Sequence, residues 1–138
     1  MIVLETNVVS EPLRPAPAQA VIDWLDAQAP ATLYLSTVCL AELLSGVAAL
    51  PSGRRRTTLE KTFATQLMPL FDGRVLPFDT EAAQAFARVH AGARRAGNPI
   101  GFPDCAIAAI ASVHGFIVAT RNVRDFRGTG VRTIDPWE

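Results

Sequence analysis

Along the chain, short apolar runs alternate with longer stretches in which apolar residues recur every three or four positions. The runs are Met1 to Leu4, Leu33-Tyr34-Leu35, Val75 to Phe78 and Phe116 to Ala119, with a weaker segment from Val131 to Ile134. Unbroken apolar runs mark strands covered on both faces, as in parallel sheets, whereas the wider spacing marks amphipathic helices. Gln19 to Gln28 carries Val21, Ile22 and Leu25 at helical spacing and stops at Pro30. Ser36 or Thr37 is placed to cap a second helix, which runs through Leu40, Leu43, Leu44 and Val47 toward Pro51. A weaker pattern of Leu59, Phe63 and Leu67 predicts a helix from Gly53 to Met68 that closes before Pro69. Asp79 reads as an N-cap, with Glu81 favourable to the helix dipole, for a helix reaching about Ala96 and stopped by Gly97-Asn98-Pro99. Pro103 fits the first turn of an alanine-rich helix from Asp104 to His114, with Gly115 as its C-cap. Ser10 to Pro17 is too rich in proline for a helix interior and reads as a loop. The alternation predicts an α/β fold, a central parallel sheet flanked by helices and joined by right-handed crossovers.

Composition narrows this picture. At 138 residues and 49% apolar, the chain reads as one domain over residues 1–138, able to bury a core without disulfides or a structural metal. No apolar run approaches the roughly 20 residues of a membrane span, and no signal-peptide pattern opens the chain, so the expectation is a cytoplasmic protein without a membrane partner. Cys39 and Cys105 lie 66 positions apart with no paired spacing, which argues against zinc and against a disulfide framework. Net charge is zero, so nothing global marks a nucleic-acid binder. Yet twelve of the thirteen cations are Arg, grouped as Arg54-Arg55-Arg56, Arg94-Arg95 and Arg121, Arg124 and Arg127, and Arg suits bidentate phosphate contact.

The candidate chemistry lies where strands end. Ligands of parallel sheets bind beyond the carboxyl ends of the strands. The first strand ends in Glu5-Thr6-Asn7 and the fourth in Thr120-Arg121-Asn122-Val123-Arg124-Asp125. Two further carboxylates, Glu42 and Asp104, sit within otherwise apolar helices, where a charge needs compensation. Each residue also has a plain reading: Glu5-Thr6-Asn7 as a polar turn before a helix, Asp104 as a helix-start acid, Asn122 as a turn former, Asp125 as a solvated loop charge. Gathered together, the carboxylates repel, and a hard divalent cation with oxygen ligands relieves that repulsion.

The stretches Ile2 to Glu11, Leu35-Ser36-Thr37 through Leu40-Ala41-Glu42-Leu43, Pro77-Phe78-Asp79, Asp104 to Ala111 and Ala119 to Phe126 resemble, in order and spacing, PIN-domain ribonucleases of the VapC toxin type, on a FitB-like branch. The resemblance implies a PIN-like sandwich and an acidic site that binds Mg²⁺ or Mn²⁺ and cleaves RNA. It also implies a cognate VapB- or FitA-like antitoxin, a homodimer, and a larger toxin–antitoxin complex built on it. Onto this sequence it carries Glu5, Glu42, Asp104, Asn122 and Asp125 as catalytic residues, with Glu5 and Asp104 holding metal. Thr6, Asn7 and Thr120 are then supporting hydrogen-bond partners, and Arg121 and Arg124 are RNA contacts. The family's first motif has Asp where Glu5 stands here, and its fourth acidic position is Asn122, which adds no charge. Glu5 therefore reads either as a natural variant of weak activity or as an attenuating substitution, and the number of metal ions stays open at one or two.

Other classes fare less well. A receiver-like signalling domain needs a lysine after a late strand, and Lys61 lies in a helical stretch. Neither GxGxxG nor a P-loop is present. His90 lies mid-helix and His114 precedes a C-cap glycine, which leaves neither placed for catalysis. The remaining rival is a noncatalytic PIN fold that binds antitoxin or RNA.

Overall fold

The computed structural model describes residues 1–138. Strands β1 (Ile2–Leu4), β2 (Leu33–Ser36), β3 (Val75–Leu76), β4 (Ile117–Ala119) and β5 (Thr133–Ile134) form one five-stranded sheet in the order β3-β2-β1-β4-β5. Every pairing is parallel, and Ile2 stands opposite Leu33 on one side and Ile117 on the other. The chain builds outward from β1 through β2 to β3, then returns to lay β4 against the other edge of β1. At that reversal, between β1 and β4, the connections leave in opposite directions. Open α/β sheets bind their ligands at such a point.

The helices are α1 (Thr6–Ser10), α2 (Gln19–Asp26), α3 (Thr37–Ala48), α4 (Arg54–Thr62), α5 (Met68–Leu70), α6 (Thr80–Arg95) and α7 (Phe102–His114). Successive side chains of a strand point to opposite faces, and β1 uses both. Leu4 enters a core with Val8, Val21, Leu35 and Leu43, so α1 to α4 cover that face. Val3 enters a second core with Val89, Ile107 and Val118, under α6 and α7. Cys105 to Ala111 is buried without interruption. Its alanines let α7 lie close between the sheet and α6. Truncating a fully buried Leu or Ile of either core to Ala costs roughly 2–5 kcal/mol. No helix is long and apolar enough to cross a membrane.

Capping follows the sequence reading closely. Ser36, rather than Thr37, caps α3 by accepting the Cys39 N–H at 3.0 Å, and Asp79 caps α6 by accepting the Ala82 N–H at 2.9 Å. Gly115 ends α7 in the left-handed conformation at φ 69°. Four expectations are corrected. The segment after Glu5 is helical, because the Glu5 carbonyl accepts from Val8 and Val9, whose side chains are buried. The loop that follows opens with a 3₁₀ turn, Glu11–Leu13. The helix expected to close before Pro69 runs through it: Phe63–Leu67 widens into a π turn, with the Met68 N–H reaching back to the Phe63 carbonyl, and α5 continues beyond. The wider turn just ahead of the proline accommodates a residue that cannot donate and crowds the preceding turn. Finally, β3 stops at Leu76, because Pro77 has no N–H to offer a ladder and the Phe78 N–H goes to Thr37 Oγ1 at 3.0 Å.

Candidate active site

Glu5 is the first residue past β1, and its N–H still donates to the Ala119 carbonyl at 3.0 Å, which fixes it beside the end of β4. The residue is only 7% exposed. Thr120, the first residue past β4 and fully buried, donates its hydroxyl to Glu5 Oε2, and that same hydroxyl accepts the Asn122 N–H at 2.9 Å. One hydroxyl thus ties the carboxylate to the turn behind β4. The Asn7 side chain lies beside Glu5 and favours its charged form.

Asp104, half-buried in the first turn of α7, lies within hydrogen-bond reach of the Glu5 carboxyl. Burial pushes Glu5 up from an ordinary 4.5 to about 7; the Thr120 bond opposes this and the neighbouring Asp104 adds to it. Asp104 is also raised, by burial first and then by the fields of Asp125 and Glu42, while its bond with Glu5 pulls the other way. Two acids pressed together at reduced solvation share the burden of a missing countercharge.

Glu42 projects from α3 at the exposed margin of the cluster, and its Oε1 accepts the Thr6 hydroxyl at 2.7 Å. Glu5, Asp104, Glu42 and Asp125 therefore act on one another electrically, but no three of them stand close enough to form a ready metal cage. The fit to a hard cation is nevertheless good. All the donors are oxygens, two carboxylates are already paired, and the Asn7 Oδ1 is buried with no hydrogen-bond partner. An orphaned buried oxygen of this kind is uncommon and calls for a partner.

The remaining expected residues divide. Asn122 meets the cluster through its backbone N–H, and its side chain is exposed. Asp125, on the 3₁₀ turn Val123–Phe126, lies near enough to raise Asp104 through its charge. Arg124 is exposed on the same turn. Arg121 turns away: its guanidinium lies 5.2 Å over the Trp137 ring and lowers Glu11 electrostatically. Cys39, behind Thr6, is a buried thiol pushed up to about 12 by burial, with no nucleophilic role.

Two contributors escaped the sequence reading. Asn98 donates its side-chain amide to the carbonyls of Arg124 at 3.0 Å, Asp125 at 3.4 Å and Arg127 at 2.9 Å, clamping the turn that carries Asp125. In the sequence it is simply part of a helix stop. Glu11, only 4% exposed, accepts the Ala18 N–H at 2.9 Å and Arg14 at 3.3 Å, which anchors the start of α2 to the end of α1. The proline-rich stretch beside it, needing a fixed exit, was the available signal.

Comparison with known proteins places this geometry. The family model for the PIN domain matches residues 2–131. VapC ribonuclease Y4jK of Sinorhizobium fredii is 47% identical over 138 residues, covering 100% of this chain and 99% of its own. Toxin FitB of Neisseria gonorrhoeae is 42% identical over 137 residues, covering 99% of each. The crystal structure of FitAcB from Neisseria gonorrhoeae superposes with a TM-score of 0.97 at 41% identity, over 100% of this chain and 99% of that one. With sheet order, the acidic cluster and full-length similarity all in agreement, the chain belongs to the PIN-domain family, on its VapC- and FitB-like toxin branch.

Proposed function

We propose that this chain is the toxin of a toxin–antitoxin pair and acts as a ribonuclease, hydrolysing RNA phosphodiesters with Mg²⁺ or Mn²⁺ held by Glu5 and Asp104. The observation that carries this reading is the Glu5–Asp104 pair at the reversal point of the sheet, beside an oxygen of Asn7 that has no partner. Relatives named as a VapC ribonuclease and a FitB toxin support the reaction class. Bound there, a divalent cation supplies a water acidified toward neutral pH and offsets charge developing on the phosphate.

The chain's own residues do the positioning. Thr120 holds Glu5 in one orientation, so its carboxylate is aimed before any ligand arrives. Thr6 holds Glu42 at the margin of the cluster, and Asn98 holds the turn that keeps Asp125 near Asp104. Arg124, exposed beside this cluster, serves the RNA backbone; Arg121 serves the fold through Trp137 instead. The partner is an antitoxin of the FitA or VapB kind, as in the FitAB complex, and the working unit proposed from the family resemblance is a homodimer.

The test is cleavage of single-stranded RNA by the purified protein with Mg²⁺, Mn²⁺ or EDTA, alongside Asp104→Asn. Metal-dependent cleavage that Asp104→Asn abolishes is expected, with suppression on adding the co-purified antitoxin. RNA binding with no cleavage under either metal overturns the enzymatic reading and leaves a binding module.

A further inference from the structure

Beside the acidic cluster lies a cleft of about 290 Å³ between the end of α1, α3 and α4. Thr6 and Glu42, joined by their 2.7 Å hydrogen bond, line it and link it to the carboxylate cluster. Leu43, Val47 and Phe63, all nearly buried, give it an apolar surface. Arg14 and Arg55 line it as well. The two ion pairs of the molecule are Arg14 with Glu11 and Arg56 with Glu60, so Arg55 stands exposed without a carboxylate partner. Arg14 reaches Glu11 through one nitrogen at 3.3 Å, which leaves most of its donors free.

The cleft therefore offers an apolar surface, uncompensated positive charge, and a position beside a group of carboxylates. Its ligand needs a flat, weakly polar body and an anionic group, covalently linked to the phosphate that the carboxylates handle. A nucleotide unit has this make-up. The volume lies just below the roughly 300–1,000 Å³ of small-ligand sites, room for one unit at most and too little for a duplex. We propose that this cleft is a subsite for the nucleotide flanking the scissile bond of single-stranded RNA, with its base against Leu43, Val47 and Phe63 and its phosphate on Arg55. The proposal rests on the ribonuclease reading and adds Arg55 as a positioning residue. Single-stranded RNA is recognised by such splayed bases and by Arg contacts to its backbone.

Two substitutions test it by different routes. Arg55→Ala removes the charge. Gly46→Leu fills the cleft: Gly46 lines it on α3, a Cβ there meets nothing within 4 Å, and leucine suits a helix better than glycine. Steady-state cleavage of a single-stranded RNA is measured over a salt series, with fluorescence anisotropy of a labelled oligonucleotide for binding. Arg55→Ala is expected to raise KM about 5–20-fold with kcat within twofold, and to flatten the log–log salt slope by about 0.7. Arg55→Lys restores that slope and only part of the affinity. Gly46→Leu raises KM similarly with an unchanged or higher melting temperature, and Arg94→Ala, remote on α6, changes neither quantity. If the parent cleaves RNA and KM is unmoved in both Arg55→Ala and Gly46→Leu, the subsite is refuted. It is equally refuted if these variants weaken only antitoxin binding, which would make the cleft a protein-docking surface. If the parent binds RNA without cleaving it and Arg55→Ala weakens that binding, the ribonuclease reading fails while the subsite stands; if the parent neither binds nor cleaves RNA, both fall.

Discussion

Replacing Glu5 by Gln should make the metal-free protein more stable while abolishing cleavage. Gln fills the same volume, keeps an oxygen for the Thr120 hydroxyl, and can donate its amide to Asp104, so the change removes mainly a buried charge. A rise of the Glu5 carboxyl from 4.5 to about 7 corresponds to roughly 3 kcal/mol at 1.36 kcal/mol per pH unit. Solvent still reaches part of the group and Asp104 shares the proton, so about 1–2 kcal/mol is expected in the fold. The sign follows from which form the fold prefers. Because the folded value lies above the unfolded one, the native state holds the proton more tightly: the deficit is absent below about 4.5, grows as pH rises, and is complete above about 7. Thermal unfolding in EDTA between pH 4 and 8 reads this directly. At pH 8 Glu5→Gln should melt about 3–8 °C above the parent, and at pH 4 the two should coincide. A gap of equal size at every pH, or a variant less stable at pH 8, would refute the account of Glu5 as an uncompensated buried charge.

Glu5→Asp keeps the charge and shortens its reach to that of the family's usual residue; cleavage should rise, since misplacing a catalytic group by about 1 Å costs on the order of 10²-fold, and a rate equal to the parent's would show Glu5 to be an adequate ligand. Asn98→Ala removes donors from three backbone carbonyls around Asp125. It should cost about 1–3 kcal/mol in denaturant unfolding and lower kcat more than it raises KM. Gly128→Ala meets both a φ of +80° and a Cβ placed 2.6 Å from the Ala96 Cβ. It should lower stability by about 2–3 kcal/mol, and a neutral result would mean that the turn after Asp125 shifts freely.

The parts of the fold visible in the sequence were those whose physics is local. Four of the five strands announced themselves as apolar runs, and Ser36, Asp79 and Gly115 did as caps what their side chains or lack of one allow. Asp104 stood out because a half-buried carboxylate in an apolar helix is costly unless something answers it, whereas Glu42 is exposed and that cost does not apply to it. What stayed hidden depends on partners far along the chain. Thr6-Asn7-Val8-Val9-Ser10 has weak helix formers, and burial of Val8 and Val9 imposes α1 on it. Asn98 acts on backbone carbonyls 26 to 29 residues away, and any residue type could have supplied those acceptors. Arg121 looked like Arg124 until the fold put Trp137 beneath it.

The bond from Thr120 to Glu5 joins residues 115 positions apart. During synthesis the acid is made almost at once, and its hydroxyl partner leaves the ribosome only after most of the chain has been translated, an interval of several seconds or more at roughly 5–20 residues per second. Through that interval β1 lacks one of its two neighbours, and the acidic site lacks its β4 side. A polypeptide released early, by a stalled ribosome or a cut message, would carry Glu5 and Glu42 yet no assembled centre. For the ribonuclease proposed above, completeness of its own message becomes a condition of its harm.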